Sequence, residues 1–150
     1  MKRLLFAFVA TALLRGLPTA ALAAPADDAK ALVDEAIAYI AANGAEKGYE
    51  AISAPQGSFV KGETYLFVID FDGKVFAHGG NPKLVGKSLL ELRDADGKPF
   101  IQELIDQAKK TSGWVEYKWT NPATKKVQEK TTYVVPIPGR SALIGCGVYK

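Results

Sequence analysis

The chain holds one histidine and one cysteine, His78 and Cys146. They lie far apart in sequence, so a thiol nucleophile with an imidazole base requires the fold to bring them together. A reactive thiol also needs an electropositive, partly exposed setting. Cys146 stands between Gly145 and Gly147 in an apolar run, which predicts a buried, unreactive sulfur. No Cys-x-x-Cys, His-Glu-x-x-His or Cys-x-x-Cys-His spacing occurs, so neither a structural zinc nor an attached haem is expected. A Gly-x-Ser-x-Gly elbow and a phosphate-cradling glycine loop are missing too. Asp70-Phe71-Asp72-Gly73 offers two carboxylates but lacks the further oxygens and closing glutamate of a calcium loop. A hairpin turn capped by aspartates accounts for it. The expectation is a protein without catalytic residues, metal or cofactor, with a small hydrolase using His78 as an alternative.

Binding chemistry is better represented. Tyr65, Phe67, Phe76, His78, Trp114, Tyr117, Trp119 and Tyr133 all fall on strand-like segments. Aromatic walls with a few polar tips are what small-molecule pockets use, although plain core packing uses them as well. Alternation along a strand sorts them by face. Tyr65, Phe67 and Ile69 share one, as do Phe76 and His78. Val115, Tyr117 and Trp119 oppose Trp114, Glu116 and Lys118, while Thr131, Tyr133 and Val135 go together. Which set lines a pocket is left open by alternation alone.

The elements that carry these residues are legible from periodicity. Asp27 and Asp28 suit a helix start, and Leu32, Val33, Ala36, Ile37, Ile40 and Ala41 form one apolar stripe up to a stop at Asn43-Gly44. A weaker helix is predicted over 45–52, then a loop over 53–62. Strands are predicted over 65–70 and 74–78 around an Asp72-Gly73 turn, and Gly79-Gly80-Asn81-Pro82 ends the second. Irregular chain over 83–96 leads to a helix from Pro99 to about Lys110, with Phe100, Ile101, Leu104, Ile105 and Ala108 on its apolar face. Strands over 113–119, 127–136 and 141–149 follow. This order predicts an α+β domain: a five-stranded antiparallel sheet flanked by a long N-terminal helix and a helical crossover.

Residues 1–23 read as a secretory signal peptide. Lys2 and Arg3 precede the apolar run Leu4 to Leu14, and Ala21-Leu22-Ala23 is a small-x-small cleavage site. The run is shorter than the roughly 20 residues of a spanning helix. Loss of Lys2, Arg3 and Arg15 takes the 19 basic residues to 16, against 16 acidic, so the net charge of +3 becomes zero. A neutral domain with interspersed signs has no basic stripe for nucleic acid and no polybasic patch for lipid. Residues 24–150 then form one domain of ordinary size, expected to be soluble and periplasmic or secreted.

The run Phe59 to Asp70, followed by Gly73-Lys74-Val75-Phe76-Ala77-His78-Gly79-Gly80-Asn81-Pro82 and on to Lys87, resembles a single Cache domain of the second class. Asp96 to Ile101 resembles that family's helix start. Gly113 to Trp119, Asn121-Pro122 and Lys130 to Val134 resemble its middle strands, and Ile144 to Tyr149 its last strand. The resemblance implies a PAS-like sheet with a long helix behind it. It also implies extracytoplasmic sensing of small ligands, often short carboxylates, in the outer parts of chemoreceptors and sensor kinases.

No membrane span or signalling domain follows Tyr149 in this sequence, so the expectation is a free-standing binding module that reports to a membrane-bound partner. An accessory or assembly protein docking such a partner is the alternative. A carboxylate needs charge-assisted donors in a desolvated site. The candidates are His78, Lys98 and Lys130, with Tyr65, Tyr117 and Tyr133 as hydroxyl donors. Arg93 reads as a surface residue. His78 is the first choice, at a strand end outside the core, beneath a covering segment from Asn81 to Lys98.

Overall fold

The computed structural model describes residues 25–150. The predicted signal segment lies outside the described residues. Helix α1 (Pro25–Asn43) begins two residues ahead of its aspartates and is followed by α2 (Ala45–Ser53). A two-residue strand β1 (Val60–Lys61) occupies the predicted loop and leads to β2 (Thr64–Asp70) and β3 (Val75–His78). A single 3-10 turn at Pro82–Leu84 starts the long connection to α3 (Phe100–Lys110). Strands β4 (Gly113–Thr120), β5 (Val127–Pro136) and β6 (Ala142–Tyr149) complete the chain.

All strand pairs are antiparallel. The order is β3, β2, β6, β5, β4, with β1 beside the start of β2. The last strand therefore lies at the centre, between β2 and β5. Strand alternation divides the core into two layers. On one face α1 lays Ala29, Leu32, Val33, Ala36 and Ile40 over Leu66, Val68, Ile144 and Cys146. On the other, α3 lays Phe100, Ile101, Leu104, Ile105 and Ala108 over Phe67, Ile69, Val115, Tyr117, Val134 and Leu143. The three-and-four spacing on each helix matches the single face that it buries.

Strand β3 departs from simple alternation. Its pairing with β2 slips between Val68 and Ile69, so that Ile69 faces Val75 and Val68 faces Ala77. Phe76 is the extra residue of a β-bulge. It joins the α1 layer and stacks on Tyr49 at 5.6 Å, whereas His78 turns to the α3 side. The expected common face of Phe76 and His78 is thus corrected by the bulge.

Cys146 is fully buried in the α1 layer, and burial pushes its thiol up to about 12, against smaller opposing effects of Lys130 and Lys61. His78 lies on the opposite face, so the two cannot form a nucleophile–base pair. A thiol-reactive dye is expected to label Cys146 only in denaturant. Rapid labelling of the native protein would show that this strand opens.

Candidate ligand-binding site

Between the sheet and α3 lies a small cavity lined by Tyr65, Phe67, Ile69, His78, Leu89, Phe100, Ile101, Leu104, Tyr117, Trp119 and Lys130. About 20 Å³ of it is free, where a single water needs roughly 10–15 Å³. Tyr65, His78 and Trp119 also border an outer cleft of about 430 Å³, together with Asn81, Lys83 and Lys125. They form the wall common to both spaces.

The polar end is built around Lys130. Cross-strand pairing sets Lys130 between Tyr117 on β4 and Tyr149 on β6. It is 1% exposed, and no acidic side chain pairs with it among the described residues. Its Nζ donates to the Tyr65 hydroxyl at 2.8 Å and sits 4.0 Å from the Tyr65 ring centre and 5.0 Å from that of Tyr149. Ring faces attract a cation but supply far less than a carboxylate would. Burial accordingly brings the ammonium down to about 7. The Tyr65 hydroxyl is 3.1 Å from that of Tyr149, which donates to the Thr120 carbonyl at 2.9 Å. The Tyr117 hydroxyl is 2.9 Å from that of Thr132.

His78 packs its ring 5.0 Å from Tyr65 and 5.9 Å from Phe67. Its Nδ1 accepts from the Asn81 backbone N–H at 2.9 Å, which places the proton of the neutral ring on Nε2. Burial, and next the Lys130 charge, hold it down to about 3, so the imidazole is neutral at physiological pH. At 5% exposure it is a buried residue and not the peripheral one expected from its strand-end position. Its truncation therefore affects the core as well as the site.

The space for these groups comes from β6. A Cβ on Gly147 would stand 1.9 Å from Lys130 Cε, and one on Gly145 would stand 2.5 Å from the Phe67 ring. Glycine at both positions lets the lysine stem and the ring lie flat on the strand.

Four of the six predicted contact residues converge here: His78, Tyr65, Tyr117 and Lys130. Two do not. Lys98 pairs with Glu103 at 2.9 Å and donates to the Glu116 carbonyl at the surface. Tyr133 points to the α1 side and packs 5.2 Å from Trp114, because neighbours on a strand face opposite ways. Arg93 donates to the Gly97 carbonyl, as a surface residue does. The segment from Asn81 to Lys98 contributes only Leu89 to the cavity, and α3 provides the rest of its cover. Phe100, Ile101 and Leu104 were legible only as a helix's core-facing stripe. The Asp70 carboxylate accepts from the Asp72 and Lys74 N–H groups, which is the hairpin cap expected of it.

The sequence matches the family model described as Single Cache domain 2 over residues 21–150. The chain belongs to that family. Among solved structures, this Cache domain is similar to a methyl-accepting chemotaxis protein from Vibrio parahaemolyticus. The TM-score is 0.72 at 23% identity, covering 83% of this chain and 87% of the other, which supports a shared fold. A structure reported as the basis for carboxylic acid recognition by a Cache chemosensory domain gives a TM-score of 0.65 at 25% identity, covering 82% and 86%. In sequence, the chain is 38% identical over 85 residues to the sensor histidine kinase MctS of Rhizobium johnstonii. That match covers 57% of this chain and 18% of the kinase, so the chain spans under a fifth of that relative. The family is one of extracytoplasmic sensor domains from chemoreceptors and histidine kinases, whose typical role is to bind ligands without catalysis.

Proposed function

We propose that this Cache domain is a periplasmic sensor that binds a short carboxylate by widening the cavity under α3. Lys130 carries the reading: a cation buried on all sides, hydrogen-bonded to a tyrosine and facing free space, without an anion among the described residues. Burying a charge is costly unless it is paired, and an incoming carboxylate supplies the partner. The Nε2–H of His78 offers a further donor, while Phe67, Phe100 and Trp119 exclude water. The carboxylic acid bound by the structurally similar Cache chemosensory domain supports the same ligand class. Residues 1–23 are proposed as the export signal, and a membrane-bound signalling protein as the recipient of occupancy.

Calorimetry and thermal denaturation with acetate, propionate and butyrate test this, with the matching primary amides as controls. The acids are expected to bind and to raise the melting temperature, by about 2.7 kcal/mol of stability at a hundredfold excess over Kd. The amides, equal in shape and uncharged, are expected to do neither. Equal responses to acids and amides, or none to either, would overturn the proposal.

A further inference from the structure

We propose that the outer cleft beside His78 is the entrance for small carboxylate anions, with Lys83 and Lys125 collecting the anion and Trp119 as the door between cleft and cavity. This rests on the carboxylate reading above. Lys130 is buried, so a ligand must cross one of two walls to reach it. Tyr65, His78 and Trp119 form the first, toward the outer cleft. Tyr117 and Lys130 itself form the second, toward a surface cleft of about 190 Å³ on the other side. Charge separates the two routes. Four carboxylates rim the second cleft, and each of its three surface lysines is already paired with an acid. The outer cleft holds Lys83 and Lys125, which make no ion pair among the described residues, and no described acidic side chain lines it. The neighbouring Glu63 carboxylate is engaged by the Asn121 amide at 2.7 Å. An anion is therefore drawn to one mouth and repelled from the other.

Local structure aims both lysines. Lys83 sits in the 3-10 turn, where the Asn81 side chain accepts from the Lys83 N–H at 3.2 Å and the Asn81 N–H donates to His78. Lys125 closes the β4–β5 turn, its N–H on the Asn121 carbonyl at 2.8 Å, with a φ of 61°. That is the left-handed region that glycine enters freely, and Lys125 is the one described residue there with a side chain. The turn thus bears backbone strain to hold a charge at the cleft mouth. Of the three wall residues, two are fixed. Tyr65 is hydrogen-bonded to Lys130 and has the Gly80 main chain against its ring, where a Cβ would stand 2.7 Å away. His78 is tied to the Asn81 N–H. Trp119 is half-buried near the end of the edge strand β4 and packs on Phe100 at 5.3 Å. Its outward swing opens the wall and adds room to the cavity behind it.

The test uses propionate, with Kd from calorimetry and the dissociation rate from NMR exchange of the isotope-labelled acid. Their ratio gives the association rate. Lys83→Gln combined with Lys125→Gln should slow association on the order of tenfold at low ionic strength, the lower end of electrostatic steering, and leave dissociation unchanged. The difference should vanish in about 1 M salt, where charges are screened within about 3 Å. Lys118→Gln combined with Lys150→Gln, on the other cleft, should leave association unchanged. Trp119→Ala should speed association and dissociation together, by roughly fivefold or more, as removal of a gate does. A packing role alone would speed dissociation and leave association as it was. If circular dichroism shows that Trp119→Ala is unfolded, Trp119→Phe takes its place with a smaller change in the same direction. Association that ignores Lys83 and Lys125, association that slows with Lys118 and Lys150 instead, or a folded Trp119 variant with the wild-type association rate overturns the proposal and leaves the carboxylate reading standing. Failure of propionate to bind the wild type overturns both.

Discussion

Lys130→Met is expected to weaken binding of a short carboxylate by two to three orders of magnitude and to raise the stability of the unliganded protein. The two effects have one cause. In the complex, the methionine leaves a carboxylate buried without its cation, and breaking a buried ion pair in this way costs about 3–5 kcal/mol. In the free protein the lysine has no anion among the described residues, so the fold holds its amine against water's preference for the charged form. An apolar side chain of similar length removes that cost, and stabilisation on the order of 1–4 kcal/mol is expected. Denaturant titration of both proteins measures the second effect and calorimetry with propionate the first. A variant that binds propionate like the wild type removes Lys130 from the site. One that loses binding together with stability makes it structural.

Acid affinity is expected to fall about tenfold per pH unit above 7, or about a hundredfold by pH 9. The free lysine releases its proton near 7, while a bound carboxylate keeps it protonated, so binding above that pH takes up a proton. The neighbouring groups do not titrate in this window. Burial raises the Tyr65 and Tyr117 hydroxyls beyond it and puts Tyr149 at about 12, His78 is neutral above about 3, and Cys146 stays a thiol. Stability of the free protein should move the other way. Unfolded lysine keeps its proton to about 10.5, so between pH 7 and 9 the unfolded chain binds more protons than the folded one, and stability rises with pH. Calorimetry in buffers of different ionisation enthalpy counts the proton directly. Uptake near zero at pH 8 would mean that the lysine is already charged before the ligand arrives.

Much of this was readable in the sequence, and the gaps have physical causes. Periodicity placed the helices because each buries a single face, apolar runs between turn residues placed the five main strands, and alternation correctly grouped Tyr65 with Phe67 and Tyr117 with Trp119. It could not say that these groups share a cavity, since that depends on β6 lying centrally between β2 and β5. Phe76 was assigned to the wrong face because a bulge carries no signature in Val75-Phe76-Ala77-His78. Lys130 and Tyr133 looked equally available, yet three residues on a strand reverse the face. Lys98 was a fair candidate by charge, and only the fold shows Glu103 and Glu116 claiming it. The sequence also holds no sign that Lys130 lacks a counter-ion among the described residues, because that is a property of its surroundings.

Gly145, Cys146 and Gly147 make the middle of the central strand lopsided: the sulfur fills one side, and bare backbone meets Phe67 and Lys130 on the other. Elsewhere in the sheet, two side-chain layers separate the helices. Here only a single peptide chain separates Phe67 and Lys130 from the α1 packing. Motion of the lysine stem presses on main-chain atoms directly, with no rotamer in between to absorb it, and the residue behind those atoms belongs to the α1 layer. The strand is a thin diaphragm where Phe67 and Lys130 lie against it, tethered by hydrogen bonds to β2 and β5 along both edges.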